Sequence, residues 1–167
     1  GMEAIRANFT RYTPSNGIPE LRRAICEKFK RDNGLDYVPE EIIVSNGAKQ
    51  CLYNAAMALF QTGDEVIVPT PCWVSYEPQI SLTGATPVYL PTDGAQGFCI
   101  TAEQLRQALT PRTKGLILNN PSNPTGAAYA REALESLSRV LGEGRVWVIA
   151  DEIYEKLVYD GFSFVSF

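Results

Sequence analysis

The stretch "GLILNNPSNPTG", Gly115 to Gly126, decides the fold class of this chain. It opens with an apolar run that predicts a strand over 115–119 and closes with a turn rich in Asn, Pro and Gly. A second apolar run, 145–150, follows after one helix-length of chain and leads directly into Asp151. This succession is typical of a βαβ unit, whose two strands are parallel and buried on both faces.

The same alternation runs through most of the chain. Strands are predicted over 41–45, 65–69, 86–90, 115–119 and 145–150, and helical patterns such as 48–63 and 129–144 lie between them. Leu21, Ile25 and Phe29 recur at every fourth position and predict an amphipathic helix within 18–34. We therefore expect an N-terminal segment with this helix over 1–34 and an α/β domain over 35–167, with a doubly wound, mostly parallel sheet.

Composition narrows the function classes. The 167 residues carry a net charge of −4 without a Lys/Arg-rich stripe, which argues against nucleic acid as a partner. No apolar run is long enough for a membrane span and no apolar signal segment is visible, so the cytoplasm is the expected location. The chain has no histidine, which excludes Ser-His-Asp and Cys-His nucleophilic systems.

The cysteines do not suggest a metal site or a disulfide framework. Four cysteines stand more than twenty residues apart and form no CxxC pair: Cys26, Cys51, Cys72 and Cys99. Without histidine they cannot complete a common zinc site, so we expect free thiols and no bound metal.

In a doubly wound sheet ligands bind outside the carboxyl ends of the strands, so the segments that follow strands are the candidates. The backbone N–H groups of Gly47, Ala48 and Lys49 open a predicted helix and either bind a phosphate or form an ordinary tight turn. Trp73 follows two prolines and either fills the core or offers a flat surface to a ring.

Two later segments add polar groups. Asn123 precedes Pro124, which favours an extended backbone and leaves its amide able to donate, although turn-forming residues alone explain this loop equally well. Asp151 follows an all-apolar strand and needs a cation or hydrogen-bond donors, unless it caps a helix; Tyr154 reaches the same face if a helical turn begins there. A phosphate, a flat ring, an acceptor oxygen and a cationic nitrogen together describe pyridoxal 5′-phosphate (PLP).

Five ordered segments carry a family resemblance: "YTPSNGIPELRRAI", "VSNGAKQ", "GDEVIVPTPCWVSY", "NNPSNPTG" and "ADEIYEKLVYDG". Together they resemble the class I aminotransferases of PLP fold type I, most closely the aspartate aminotransferase-like branch. The resemblance covers about Tyr12 to Gly161 and implies the large PLP-binding domain of that fold, in incomplete form.

The resemblance implies a role for each candidate. Gly47, Ala48 and Lys49 match backbone contacts to the cofactor phosphate, and Trp73 matches the aromatic residue over the pyridine ring, beside the substrate. Asn123 and Tyr154 match the partners of the ring's phenolic oxygen, with Asn123 also bordering the substrate. Asp151 matches the partner of the pyridine nitrogen, where a carboxylate raises the pKa of that nitrogen. Tyr12 would reach the phosphate of a second subunit, which implies a homodimer.

One part of the family pattern has no match in this chain. The lysine that carries PLP as a Schiff base lies downstream of the D-E-I-Y motif in the family, and neither Lys49 nor Lys156 has the right place. We therefore expect part of an aminotransferase that acts on an amino acid, possibly aspartate, and a 2-oxo acid, inactive by itself and without a catalytic residue of its own. The alternatives are a carbon–sulfur lyase of the same fold and a non-catalytic PLP-binding module.

The resemblance also concerns the order of the sheet. In the family, further strands lie between those that match 145–150 and 41–45. We therefore expect the 41–45 strand to pair elsewhere or to be covered by a second chain, because an unpaired strand edge favours association.

Overall fold

The computed structural model describes residues 1–142 and 146–167. The chain divides into two compact units, residues 1–51 and 52–167. The domain boundary that the sequence suggests between 34 and 35 stays a prediction.

The first unit consists of short helices joined by irregular segments. Helix α1 spans Met2–Arg6, and α2 spans Pro19–Lys28 and continues as a π-helical turn over Phe29–Asn33. Proline at the first position of α2 suits a helix start, and Gly34 closes the π-helical turn with a φ of 71° that favours glycine. A 3₁₀ turn follows at Pro39–Glu41, and helix α3, Ala48–Leu59, begins in this unit and ends in the second.

The predicted strand over 41–45 is wrong. Glu41 ends the 3₁₀ turn, and residues 42–45 form no ladder, although Ile42 has extended dihedrals (φ −103°, ψ 128°). Its backbone is bonded to an earlier segment from Val44 N to Asn16 O, at 3.1 Å. An extended, β-branched run becomes a strand only when a neighbouring strand supplies hydrogen bonds.

The second unit contains a four-stranded parallel sheet. Its elements, in chain order, are β1 (Glu65–Thr70), α4 (Tyr76–Ser81), β2 (Thr86–Pro91), α5 (Ala102–Ala108), β3 (Thr113–Asn119), α6 (Arg131–Gly142) and β4 (Trp147–Asp151). The strand order is β2-β1-β3-β4, and every pairing is parallel. The α/β, parallel-sheet prediction is thus confirmed, while Arg145, the predicted start of the last strand, lies outside the described residues.

Helices cover both faces of this sheet. Ile67, Leu116 and Leu118 point to one face and pack with side chains of α5 and α6. Val66, Val68 and Ile117 point to the other face and pack with α3 and α4. Because alternate residues of one strand enter different cores, β1 and β3 are apolar at successive positions over 66–69 and 115–118, as in a doubly wound sheet.

No described helix is long and apolar enough to cross a membrane.

Candidate cofactor-binding site

The site is built at the carboxyl ends of β3 and β4, where Asn119 and Asp151 are paired across the sheet. The Asn119 side chain donates from Nδ2 to the Asp151 carbonyl at 2.9 Å, and Asn120 N donates to the same carbonyl at 3.0 Å. These bonds join the two strand ends beyond the ladder itself. They hold the backbone of Asp151 in a defined position at the edge of the apolar core.

The other end of the Asn119 amide positions the Asn-Pro-Thr-Gly loop. Asn119 Oδ1 accepts a hydrogen bond from Asn123 N at 2.7 Å. The loop closes on itself through Ser122 N to Ala127 O and Gly126 N to Ser122 O, both 2.8 Å. Asn119 therefore ties the loop that carries Asn123 to the strand that carries Asp151.

Asn123 and Tyr154 line one open cleft of about 430 Å³, together with Pro124 and Tyr159. Both side chains are half-buried. Residues after Asp151 form successive turns, with Glu155 N bonded to Glu152 O and Leu157 N bonded to Tyr154 O, rather than a helix. The helix-cap interpretation of Asp151 is therefore wrong, and Tyr154 reaches the cleft from a turn.

The carboxylate of Asp151 has protein donors on both oxygens. Tyr76 Oη donates to Oδ2 at 2.7 Å, and Ile153 N donates to Oδ1 at 3.3 Å. Tyr76 lies at the start of α4 and is 2% exposed. Burial, followed by the hydrogen bond to Asp151 and its negative charge, raises the pKa of the Tyr76 phenol.

Trp73 extends this group of side chains. Its ring meets that of Tyr76 edge-on, with centroids 5.4 Å apart and an interplanar angle of 85°. Both rings pack in or against the core that α3 and α4 form with the sheet. Trp73 is thus joined to Asp151 through one intervening aromatic residue, Tyr76, and its role as a surface for the cofactor ring stays a prediction.

The remaining predicted site residues lie in the first unit. Gly47 has a φ of 82° at the turn before α3, and its carbonyl accepts from Gln50 N and Cys51 N as the helix begins. Ala48 and Lys49 form the first two positions of α3. The side chain of Tyr12 is fully exposed. The roles of these four residues toward a phosphate stay predictions.

Sequence reasoning missed two residues of this site, Asn119 and Tyr76. A polar residue at the last position of the apolar run 115–119 was a usable signal for Asn119. Tyr76 gave no such signal, because its partner Asp151 lies 75 residues further along the chain.

The residues present fit a pyridine ring with a protonated nitrogen. Each oxygen of the Asp151 carboxylate has two lone pairs, and Tyr76 and Ile153 each donate to one of the two oxygens, so acceptor capacity remains for a cationic N–H. Aromatic and amide side chains stand near this carboxylate at the same edge of the sheet. Among the described residues, no acidic, cysteine or histidine cluster could hold a metal ion.

The fold of this chain matches that of solved aminotransferases. The crystal structure of aspartate aminotransferase from Rhizobium meliloti superposes with a TM-score of 0.95 at 49% identity, over 99% of this chain and 42% of that one. The crystal structure of aromatic aminotransferase from Pyrococcus horikoshii superposes with a TM-score of 0.96 at 39% identity, over 99% of this chain and 44% of that one.

The chain belongs to the aminotransferase class I and II family, whose model matches residues 3–167. It is 50% identical over 160 residues to aspartate aminotransferase of Bacillus sp. (strain YM-2), covering 96% of this chain and 41% of that protein. It is 53% identical over 164 residues to aspartate/prephenate aminotransferase of Cereibacter sphaeroides, covering 98% and 41%. The chain thus spans about two fifths of the length of these relatives.

Proposed function

We propose that this chain is the cofactor-binding part of a PLP-dependent aminotransferase, which moves an amino group between an amino acid and a 2-oxo acid. The observation that carries the proposal is the Asp151 carboxylate, which accepts a hydrogen bond from Tyr76 and stands on a backbone that Asn119 holds at the strand ends. Family membership supports the reaction class, and the aspartate aminotransferases among the relatives support aspartate as a candidate amino donor.

PLP, when bound, accepts electrons from the substrate's Cα into its ring, and a protonated ring nitrogen strengthens this capacity. Asp151 would keep the proton on that nitrogen by charge pairing in a half-buried environment. Asn123 and Tyr154 would bind the ring's phenolic oxygen from the cleft that they share. Trp73 would cover the ring and, with Asn123, border the substrate.

Gly47, Ala48 and Lys49 would bind the phosphate through backbone N–H groups at the start of α3. We further propose a cytoplasmic homodimer, in which the exposed Tyr12 reaches the phosphate of the partner's site.

A PLP titration of the purified chain tests the proposal. We expect reversible binding of PLP, which quenching of tryptophan fluorescence would measure. We expect no lysine adduct after borohydride reduction. Asp151→Asn should weaken binding about tenfold or more, because it replaces a charged partner of the ring nitrogen by a neutral one.

Asp160→Asn is the matched control. Asp160 is exposed and has a φ of 55°, a conformation that asparagine also adopts readily, so its replacement should leave binding unchanged. Equal affinities of the wild-type chain and the Asp151→Asn variant would contradict the proposal.

A further inference from the structure

The two edges of the parallel sheet differ in their capacity to bind a further strand. β2 forms one edge and β4 the other, and no described strand pairs with the outer side of either. We propose that the outer side of β4 binds the β4 strand of a second copy of this chain, antiparallel, so that two sheets join into one. The proposal does not rest on the proposed function, and the contact is distinct from the one proposed for Tyr12.

The hydrogen-bonding groups on the outer side of β4 are complete. Asp151 O accepts from Asn120 N at 3.0 Å, so the backbone groups of Asp151 point toward the β3 side of the strand. Alternate residues of a strand direct their backbone groups to opposite sides, so Val148 and Ala150 present their N–H and C=O groups to the outer side. Among the described residues, no backbone group beyond the β3 ladder bonds to them. Such a row of unpaired groups is a template for a further strand.

The outer side of β2 is blocked by proline. Thr86 N donates to Asp64 O at 2.9 Å, so the backbone groups of Thr86 point toward β1. By the same alternation, Pro87, Tyr89 and Pro91 face the outer side of β2. Proline has no N–H group, so of these three residues only Tyr89 offers a backbone donor. Proline on an edge strand is one of the means by which proteins prevent further pairing.

The side chains of β4 carry no comparable protection. Residues 146–150, "VWVIA", contain neither a charge nor a proline. Trp147 is 59% exposed, and Ala150 is exposed as well. Val148 and Ile149 are half-buried and pack against the two cores on opposite faces of the sheet. The strand therefore offers apolar surface beside its free backbone groups.

The difference between the edges determines which partner fits. A pair of β4 with the β2 strand of a second copy would lack the bonds of Pro87 and Pro91, so this head-to-tail arrangement, which could repeat without end, is disfavoured. Two β4 edges both offer complete groups, and such an isologous contact uses each edge once and closes as a dimer. A second copy of this chain, with β4 facing β4, is therefore the partner that this edge fits.

A two-fold axis at Val148 gives this pairing a definite register. Val148 then lies opposite the second copy's Val148, and their outward N–H and C=O groups bond to one another. Trp147 lies opposite the second copy's Ile149, and an aromatic ring opposite a β-branched side chain is a favourable cross-strand pair, which the symmetry produces twice. A register centred on Ile149 would instead place Trp147 opposite the carboxylate of Asp151.

Sedimentation equilibrium of the purified, cofactor-free chain tests the dimer. A contact through one edge strand is small, so we expect a Kd of about 1–100 μM. Trp147→Lys places a charge against an apolar side chain of the second copy and should raise Kd at least about tenfold. Ala150→Pro removes an N–H group that points away from β3 and should raise Kd by a similar factor.

Tyr89→Lys is the matched control. Tyr89 is an aromatic residue of the other edge strand and is 50% exposed, close to the exposed fraction of Trp147. Because the proposed dimer leaves β2 free, this variant should dimerise as tightly as the wild type. A rise in Kd for Tyr89→Lys equal to that for Trp147→Lys would reveal a general effect of added charge and would contradict the proposal.

Amide exchange of the wild-type chain, measured residue by residue by NMR, identifies the surface even if a variant fails to fold. The amides of Val148 and Ala150 should exchange fast in dilute solution and at least about tenfold more slowly at concentrations well above Kd. The amide of Ile149 points to β3 in both states, so its exchange should change little with concentration.

The outcomes decide the proposal in either direction. A dimer that both β4 variants weaken, with concentration-dependent protection of Val148 and Ala150, supports it. A wild-type chain that stays monomeric at about 1 mM overturns it. A dimer that both variants leave intact, or one in which these two amides stay unprotected, also overturns it, because the contact would then lie elsewhere on the chain.

Discussion

At the scale of single residues, a sequence locates a site residue well when its position within an element is itself unusual. Asp151 could be singled out because a carboxylate at the end of an apolar strand needs a partner. Tyr76 could not, because its role depends on a contact between α4 and β4 that no local pattern encodes. Local signals therefore predicted the acceptor of this hydrogen bond and missed its donor.

A second carboxylate with a structural role is that of Glu65, the first residue of β1. It accepts hydrogen bonds from Thr110 Oγ1 at 2.6 Å and from Arg112 Nε at 2.8 Å. The pKa of Glu65 is lower than its usual value, mainly because of the hydrogen bond from Thr110. The hydrogen bonds and the positive charge of Arg112 lower it further. The carboxylate joins the start of β1 to the turn before β3.

This lowered pKa predicts an acid-sensitive contribution to stability. A carboxyl group whose pKa is lower in the folded state stabilises the fold above its unfolded pKa, and the contribution is lost as the pH falls through the folded pKa. Glu65→Gln should therefore be less stable than the wild type near pH 7 and should lose less stability on acidification. Urea unfolding at a series of pH values measures both effects.

Glu103→Gln provides the control for this experiment, since Glu103 forms an exposed ion pair with Arg106 within α5. Its pH dependence should match that of the wild type. Parallel stability curves for Glu65→Gln and the wild type would show that Glu65 is not linked to folding.

At the scale of elements, the sequence predicted the sheet strands that are buried on both faces and failed for the run at 41–45. Runs such as 66–69 and 115–118 are apolar at successive positions because both faces of their strands are covered. The run at 41–45 also contains β-branched residues, yet Ile43 is 69% exposed and no strand of the described residues pairs with the run. Strand propensity is a property of the residues, whereas a ladder requires a partner.

Gly115 in β3 predicts how closely Phe60, the residue after α3, approaches the sheet. A Cβ placed there would lie 2.5 Å from Phe60 Cε1 and closer still to Cζ, and Phe60 is 5% exposed. Gly115→Ala should therefore lower the free energy of unfolding by about 1–3 kcal/mol, because the buried ring has to move. Urea denaturation with equal m-values would measure this change.

Gly142→Ala is the matched control. Gly142 is the last residue of α6, and a Cβ there would meet no atom within 4 Å. Alanine is the better helix former, so this variant should be as stable as the wild type or more stable by less than about 1 kcal/mol. Equal stability of both variants would argue against a close contact between Phe60 and β3.

At the scale of the whole molecule, apolar burial is distributed unequally between the two units. Ile42 is the one buried apolar residue of the first unit, all of whose residues are described, and the other buried apolar residues belong to the second unit. Leu21 of α2 is 43% exposed, although the spacing of its apolar residues predicted a face directed to a core. Periodicity indicates which face of a helix can be buried, but not that a core is present to bury it.

This inequality predicts two levels of local stability, which hydrogen–deuterium exchange with mass spectrometry would measure. Amides of β1 and β3 should exchange slowest, because these central strands are paired on both sides and buried on both faces. Amides of α2 should exchange faster, by at least about tenfold, because little apolar surface opposes opening of this helix. Helix α6 is the internal comparison, since it has a similar length and buries Leu134, Leu137, Val140 and Leu141. Protection of α2 equal to that of α6 would mean that burial does not determine the order in which these helices open.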